Sequence, residues 1–298
     1  MKPYIKKIMP CKLGGTGKVA YEGPLMLAKN FRNPRTGSAV GDPVGYYMSE
    51  KLDGYRCLWT GRGFVTRTGK PINAPVFFVD LMPPSVALDG ELYMGRDTFE
   101  SLGFIRRKVP DENLWKQLTF QVFDIPSEQN RPFEERMKRL KTIVRRRCVE
   151  CAHMVPRAIP CPLRYVEQVK IKTAHQLDVF MDEVVQHRGE GVMLREAGSL
   201  YEPGRTSTLM KLKAEFDAEC VIVGHKEGKG KYSGMLGSYQ CEFLDGVAGP
   251  FFVSGMRDAM RTDPLPTGDI ITIKYNGLTV KGLPRHPRFV RARNDPDF

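Results

Sequence analysis

The stretch Glu50-Lys51-Leu52-Asp53-Gly54-Tyr55-Arg56 brings a lysine, a carboxylate and an arginine together within a few residues. Side chains alternate along an extended strand, so Leu52 can enter a core while Lys51 and Asp53 face the other way. Gly54 lets the backbone turn or approach a ligand closely. A lysine amine is a poor nucleophile while protonated and a good one where burial or neighbouring cations lower its pKa. A pattern this short also fits a surface Lys-Asp pair beside a turn. The rest of the chain has to decide.

Three further stretches carry charge in strand-like settings. Leu88-Asp89-Gly90-Glu91-Leu92 puts Asp89 and Glu91 on one strand face, and Glu190 sits between two glycines at the mouth of an apolar strand, Val192-Met193-Leu194. Leu209-Met210-Lys211-Leu212-Lys213 puts two lysines on one face with Leu212 opposite. Burying such a set without purpose is costly. Around a phosphate and a divalent ion it makes sense: carboxylates bind the hard cation, lysines neutralise phosphate oxygens, and the field lowers the pKa of Lys51.

The elements that must position these residues follow from pattern. Leu25 to Trp59 reads as short extended pieces broken by turns at Asn33-Pro34-Arg35-Thr36-Gly37 and Gly41-Asp42-Pro43. Phe64 to Thr66, Val86 to Asp89 and Leu118 to Phe123 read as strands, and Asp111 to Gln117 as a helical turn. Phe133, Met137, Leu140 and Val144 recur at helical spacing after Pro132. A second helix starts at Thr173, where Thr173 and Gln176 suit a capping box. Beyond Glu215 to Ala218 the rhythm of short strands (Cys220 to Gly224, Ser238 to Phe243, Phe251 to Ser254, Ile270 to Tyr275) and glycine turns predicts a small closed β-barrel.

At 298 residues the chain holds one large domain or two unequal ones. Hydrophobic residues at 41% exclude a disordered chain, and no apolar run reaches the length of a membrane span. The net charge of +12 favours a polyanionic partner, nucleic acid first and an anionic membrane surface second. Residues 1–24 read as a basic arm without the apolar core of a secretory signal. Gly14 to Lys18 lacks the leading glycine of a phosphate loop, and Val19 replaces its Ser or Thr. Seven scattered cysteines argue for reduced thiols and a non-secreted protein. Cys148, Cys151, His153 and Cys161 read as thiols and a histidine rather than a zinc site, since Arg145, Arg146 and Arg147 would set positive charge beside the ion.

In chain order, Lys51-x-Asp53-Gly54-x-Arg56, Arg67-Thr68-Gly69-Lys70, Asp89-Gly90-Glu91, Phe123-Asp124, Glu190-Gly191-Val192-Met193 and Lys211-Leu212-Lys213 resemble the motif series of covalent nucleotidyltransferases, specifically ATP-dependent DNA ligases. The resemblance runs from about Leu25 to the C-terminus. Gly228 to Gly237 and Gly282-Leu283-Pro284-Arg285 look like the minimal two-domain ligases of bacteria and viruses. It implies an α+β fold: an adenylyltransferase domain over residues 25–215 with antiparallel sheets and flanking helices, then an OB-fold β-barrel over residues 216–298.

Position by position, the resemblance implies Lys51 as the adenylated nucleophile, within a catalytic set that includes Asp53, Arg56, Lys211 and Lys213. It has Arg56 and Arg67 hold the 5′-phosphate at a nick, Glu91 contact the ribose or metal-bound water, and Glu190 serve the metal. Phe123 would stack on adenine, Ser49 would read its edge, and Lys211 and Lys213 would grip the α-phosphate. In the barrel, Lys274, Arg285 and Arg288 belong to a basic run without an intervening acid, the expected footprint of a DNA backbone. The implied activity is sealing of nicked double-stranded DNA through lysyl-AMP, with ATP and Mg²⁺ (Mn²⁺ substituting), by an intracellular monomer that binds no membrane. The alternatives are an mRNA-capping guanylyltransferase or an RNA ligase. Relatives of this size often start with a secretion signal, which the basic arm does not resemble. The Glu227-to-Met235 loop is too short for the clamp-like hairpin of some viral ligases.

Overall fold

The computed structural model describes residues 19–21, 23–32, 38–154, 160–246 and 248–293, without the side chains of His153 and Met154. The basic arm up to residue 18, the Gly14 to Lys18 segment, the turn at residues 33–37 and the His153 side chain lie outside the described residues. The chain divides into two compact units, the first ending at Leu212 and the second starting at Lys213.

The first unit contains two sheets. In chain order its strands are β1 (Met26–Asn30), β2 (Tyr47–Glu50), β3 (Tyr55–Trp59), β4 (Phe64–Thr66), β5 (Pro71–Ile72), β6 (Leu88–Tyr93), β7 (Thr119–Asp124), β8 (Leu163–Tyr165), β9 (Val169–Lys170), β10 (Gly191–Arg195) and β11 (Gly204–Lys213). One sheet has the order β1-β11-β10-β2-β9 and the other β5-β4-β3-β6-β7-β8. Most pairings are antiparallel, as the motifs imply. Among the described pairings β1 with β11 and β7 with β8 are parallel. A parallel neighbour needs a long crossover, and the helix α1 (Phe133–Met154) provides it between β7 and β8.

Helix α1 begins after Pro132 with Glu134 and Glu135 in its first turn, where negative charge suits the helix dipole. Its Phe133, Met137, Leu140 and Val144 are buried with Trp59, Phe64, Phe120 and Val122 against the six-stranded sheet. Helix α2 (Ala174–Gln186) covers the other sheet through Leu177 and Val184. The Thr173 hydroxyl accepts from Gln176 N at 3.3 Å. The return bond differs from a capping box, because Gln176 Oε1 accepts from Lys172 N at 2.9 Å, one residue earlier. The strand expected at Val86 runs later, Leu88 to Tyr93, because its partner β3 ends at Trp59, which is in register with Leu88.

The second unit is a five-stranded sheet of β12 (Phe216–Glu227), β13 (Leu236–Phe243), β14 (Phe251–Val253), β15 (Ile270–Tyr275) and β16 (Arg288–Ala292), in the order β14-β13-β12-β15-β16. Cys220, Ile222, Tyr239, Val253, Ile271 and Ile273 form its own core. Its edge strands meet at one bridge, Ser254 with Arg288, so the barrel expected from the strand rhythm is joined at a point and not by a continuous ladder. The Glu227-to-Met235 loop is short and folded back: Lys231 and Tyr232 reach Asp258 at 2.8 and 3.1 Å. Among the described residues no helix is long and apolar enough to cross a membrane.

Candidate active site

Lys51 stands where β2 ends. Glu50 pairs with Val192 of β10, and Lys51 N then donates to Gly191 O at 2.8 Å, extending the ladder by one residue. Gly191 has φ +148, a conformation that side-chain-bearing residues rarely adopt, and Glu190 precedes it off the strand end. The two strand ends thus deliver their side chains to one place, and Lys51 Nζ forms an ion pair with Glu190 Oε2. About a fifth of the lysine side chain stays open, 21%, so a substrate can reach the amine.

Gly54 allows the next step. A Cβ there would lie 2.6 Å from Glu91 Cγ and 2.6 Å from Leu92 O, so its close approach is to β6 of this chain and not to a ligand. That approach sets β3 against β6, with Arg56 opposite Glu91 in register. Burial pushes the Glu91 carboxyl up to about 8, against the opposing pull of Lys51 and Arg56, while Asp89 and Glu190 push it further up. Lys51, Arg56 and Glu190 therefore all act on the charge of Glu91.

Arg56 is held in a fork. Its Nε and Nη2 donate to Asp89 Oδ1 and Oδ2 at 3.1 and 2.8 Å, and Nη2 also donates to Met26 O at 2.7 Å. Tyr201, fully buried, donates its hydroxyl to Asp89 Oδ2 at 2.8 Å and accepts from Met26 N at 3.1 Å. Phe123 lies outside the buried core, on the β7 face shared with Gln121, and the Arg56 guanidinium sits 5.5 Å from its ring centroid. One residue on, Asp124 is buried and bridged by Arg136 and Arg195.

Ser49 is buried in β2 opposite Met193. Asp53 is partly buried between β2 and β3, where its charge is felt by Tyr93. Lys211 stands partly buried on β11, the strand beside β10, and Lys213 closes β11 where the second unit begins. Arg67 is exposed in the turn between β4 and β5, whose ends are fixed by Thr66 N to Lys70 O at 2.7 Å and Lys70 N to Thr66 Oγ1 at 3.0 Å. Beside it runs a cleft of about 330 Å³, lined among others by Thr66, Thr68, Lys70, Arg106 and Arg107.

Within the second unit Lys274 is in register with Asp217 on one side and Arg288 on the other. Arg288 pairs with Glu215, and Arg293 with Glu219 at 3.0 Å. The basic run lacks acids in sequence but not in space, because Glu215 just before β12 and Asp217 and Glu219 on it lie beside it. Arg285 anchors a hairpin, accepting from Asn276 N at 2.9 Å and donating to Gly277 O at 2.8 Å through its backbone.

Sequence reasoning passed over Tyr201 and Arg136, neither of which stands in a charged motif, and left Arg195, at the end of the Glu190 stretch, without a role. Asp89 and Asp124 were within the quoted motifs without a role. Arg106 and Arg107 had one signal, a basic run directly after the apolar Phe104 and Ile105.

A family model described as an ATP dependent DNA ligase domain matches residues 25–213, and one described as a DNA ligase OB-like domain matches residues 227–293. The chain is 34% identical over 271 residues to a DNA ligase of Haemophilus influenzae, covering 90% of this chain and 92% of that protein. A solved structure from a structure-function analysis of Lig E DNA ligases superimposes with a TM-score of 0.79 at 30% identity, over 92% of this chain and 100% of that one. The Chlorella virus DNA ligase-adenylate shares the fold, with a TM-score of 0.52 at 21% identity over 92% and 99% of the two chains.

Proposed function

This chain belongs to the ATP-dependent DNA ligases, and from that premise we propose that Lys51 is the residue that takes up AMP. The enzyme seals nicks that carry a 5′-phosphate and a 3′-hydroxyl in duplex DNA, with ATP as its nucleotide. The observation that carries the assignment of Lys51 is its ion pair with Glu190 at the joined ends of β2 and β10, in a setting that leaves the amine reachable.

Three displacements at phosphorus follow. Lys51 Nζ attacks the α-phosphorus of ATP, an N–P bond forms, and pyrophosphate leaves. The ion pair with Glu190 Oε2 holds the amine in place, and the proton that the amine must shed leaves to solvent. AMP then passes to an oxygen of the 5′-phosphate, and the 3′-hydroxyl attacks that activated phosphorus, releasing AMP. Each step needs in-line positioning and cationic stabilisation more than a strong base.

Arg56, Lys211 and Lys213 supply positive charge to the phosphates, Phe123 offers its ring face to adenine, Ser49 reads the adenine edge, and Asp53 completes the catalytic set. Arg67 holds the nick phosphate, with Lys274, Arg285 and Arg288 gripping the backbone. Residues 25–215 make the adenylyltransferase domain and residues 216–298 the OB domain, with residues 1–24 adding non-specific affinity for DNA. We read the enzyme as an intracellular monomer.

Glu91 and Glu190 would hold a divalent cation. Among the described residues no group of three or more His, Cys, Asp or Glu could hold a metal by itself. Two carboxylates fit Mg²⁺, which is usually bound by one or two carboxylates plus phosphate oxygens and water. Bound there, Mg²⁺ (or Mn²⁺) would neutralise charge on the phosphates.

Parallel labelling with ATP and GTP, followed by a sealing assay on nicked DNA and nicked RNA, tests the reading. Label from ATP that disappears in Lys51→Ala supports it. Label that persists in the variant places the nucleophile elsewhere.

A further inference from the structure

No step of ligation uses the thiols at the end of α1. Cys148 and Cys151 are one helical turn apart on α1, and Cys161 enters from the segment before β8. Cys148 Sγ lies 3.1 Å from Cys161 Sγ and 3.5 Å from Leu163 O, and both cysteines are partly exposed. Cys151 also touches the Cys161 thiol, but it is buried and donates to Leu81 O at 3.5 Å, so Cys148 and Cys161 are the two thiols open to solvent. A disulfide needs its two sulfurs about 2.05 Å apart, so a shift of about 1 Å would let Cys148 and Cys161 bond.

The other neighbouring thiols make a contrast. Cys220 and Cys241 are fully buried on β12 and β13, where Cys220 pairs with Phe243 and Cys241 with Ile222. Their thiols meet through a side-chain hydrogen bond, but both are sealed inside the core of the second unit. No oxidant reaches them in the folded chain.

We propose that Cys148 and Cys161 are a site of oxidative modification by low-molecular-weight disulfides, ending in an intrachain Cys148–Cys161 bond. One thiol loses its proton and attacks a sulfur of the small disulfide; that S–S bond breaks, and one small thiol leaves with the proton. The second cysteine, likewise deprotonated, attacks the mixed disulfide on the chain, and the second small thiol leaves. Two protein thiols are oxidised and one small disulfide is reduced to two thiols. Burial, and then the adjacent thiol, pushes Cys148 up to about 12, so the exchange runs over hours at neutral pH. The bond would tie the end of α1 to the edge strand β8 across residues 149–160, leaving the Lys51 site untouched.

The full-length chain, reduced and freed of reductant, is incubated with glutathione disulfide, alkylated, digested and read by mass spectrometry. The expected product joins the Cys148 and Cys161 peptides, lowers the count of titratable thiols by two, and is reversed by dithiothreitol, with Cys220 and Cys241 alkylated only after unfolding. The unfolding midpoint of the oxidised form should rise by about 5 °C. Cys161→Ser should retain one glutathione on Cys148 instead. The proposal is overturned if all thiols remain reactive after overnight incubation, if Cys151 is the linked residue, or if the purified chain holds one zinc ion that shields these thiols.

Discussion

Asp89 takes both prongs of the Arg56 guanidinium, at 3.1 and 2.8 Å, from a side chain that is only 1% exposed. The arginine we assign to phosphate handling is therefore not a swinging arm. Its charge is fixed in place by a buried carboxylate, which Tyr201 holds in turn through a 2.8 Å hydrogen bond. A rigid cation costs no reorganisation when charge develops on a phosphate, which is how preorganised sites lower barriers.

Asp89→Asn should destabilise the first unit by about 3–5 kcal/mol, the usual cost of removing one partner of a buried ion pair. Tyr201→Phe leaves the charges in place but strips the hydroxyl that serves Asp89 and Met26 N, and should cost about 1–3 kcal/mol. Urea unfolding reads both. Tyr201→Phe should also slow sealing of a pre-adenylated nick with little change in DNA affinity; unchanged sealing would show that Asp89 needs no such support.

Gly54→Ala should abolish self-adenylation while leaving the second unit folded. The added Cβ would meet Leu92 O, a backbone atom of a central strand that cannot step aside. The strand β3 must then pull away from β6, moving Arg56 off its register with Glu91. Since displacements of about 1 Å can cost on the order of 100-fold in rate, labelling with ATP should fall at least that far. Wild-type labelling in this variant would mean that the close approach is dispensable.

Much of this arrangement was legible because strand periodicity is a local property. Lys51 and Glu91 each sit at a strand or its end with a leucine next to them pointing the opposite way, and Glu190 stands between glycines at the mouth of an apolar strand, all visible in the residues themselves. Phe123 was less so, since a strand aromatic reads equally as core, and only the neighbouring strands put it on the open face. The roles of Tyr201 and Arg195 were invisible because they depend on partners 112 and 71 residues distant. The partners of the basic run after Lys274 were hidden in the same way: Arg288 pairs with Glu215, just before β12, and Arg293 with Glu219 on it. The parallel β7–β8 pair likewise follows from the crossover of α1, which no periodicity in β8 announces.

Glu91 gives a pH signature. Its carboxyl is ordinary in the unfolded chain, near 4.5, and pushed up to about 8 in the fold, with burial as the main cause. Below about 4.5 both states hold the proton. Between the two values the folded state keeps a proton that the unfolded chain has released, so folding takes up a proton and stability falls as pH rises; above about 8 the loss is complete. Wild type should lose stability across that window more steeply than Glu91→Gln, by at most about 1.4 kcal/mol per pH unit and less for the solvent the side chain retains. Equal slopes would place Glu91 in a more ordinary environment. Mg²⁺-ATP binding at neutral pH should release a proton from wild type and less from Glu91→Gln, measurable by calorimetry in buffers of different ionisation enthalpy.

Lys51→Arg separates the charge at this position from its nucleophilicity. The guanidinium can still pair with Glu190, so the variant should fold with wild-type stability, yet it stays protonated at any working pH and offers no free electron pair. Labelling with ATP should vanish in both Lys51→Arg and Lys51→Ala. The third displacement does not use the amine as nucleophile, so both variants should still seal a nick already carrying 5′-AMP. Lys51→Arg should do so faster, because a cation remains beside the phosphate and Glu190 keeps its partner. If the two variants seal a pre-adenylated nick at the same rate, the charge at position 51 plays no part after adenylation. If neither seals it, Lys51 has a second role in the final step that the ion pair with Glu190 alone does not explain.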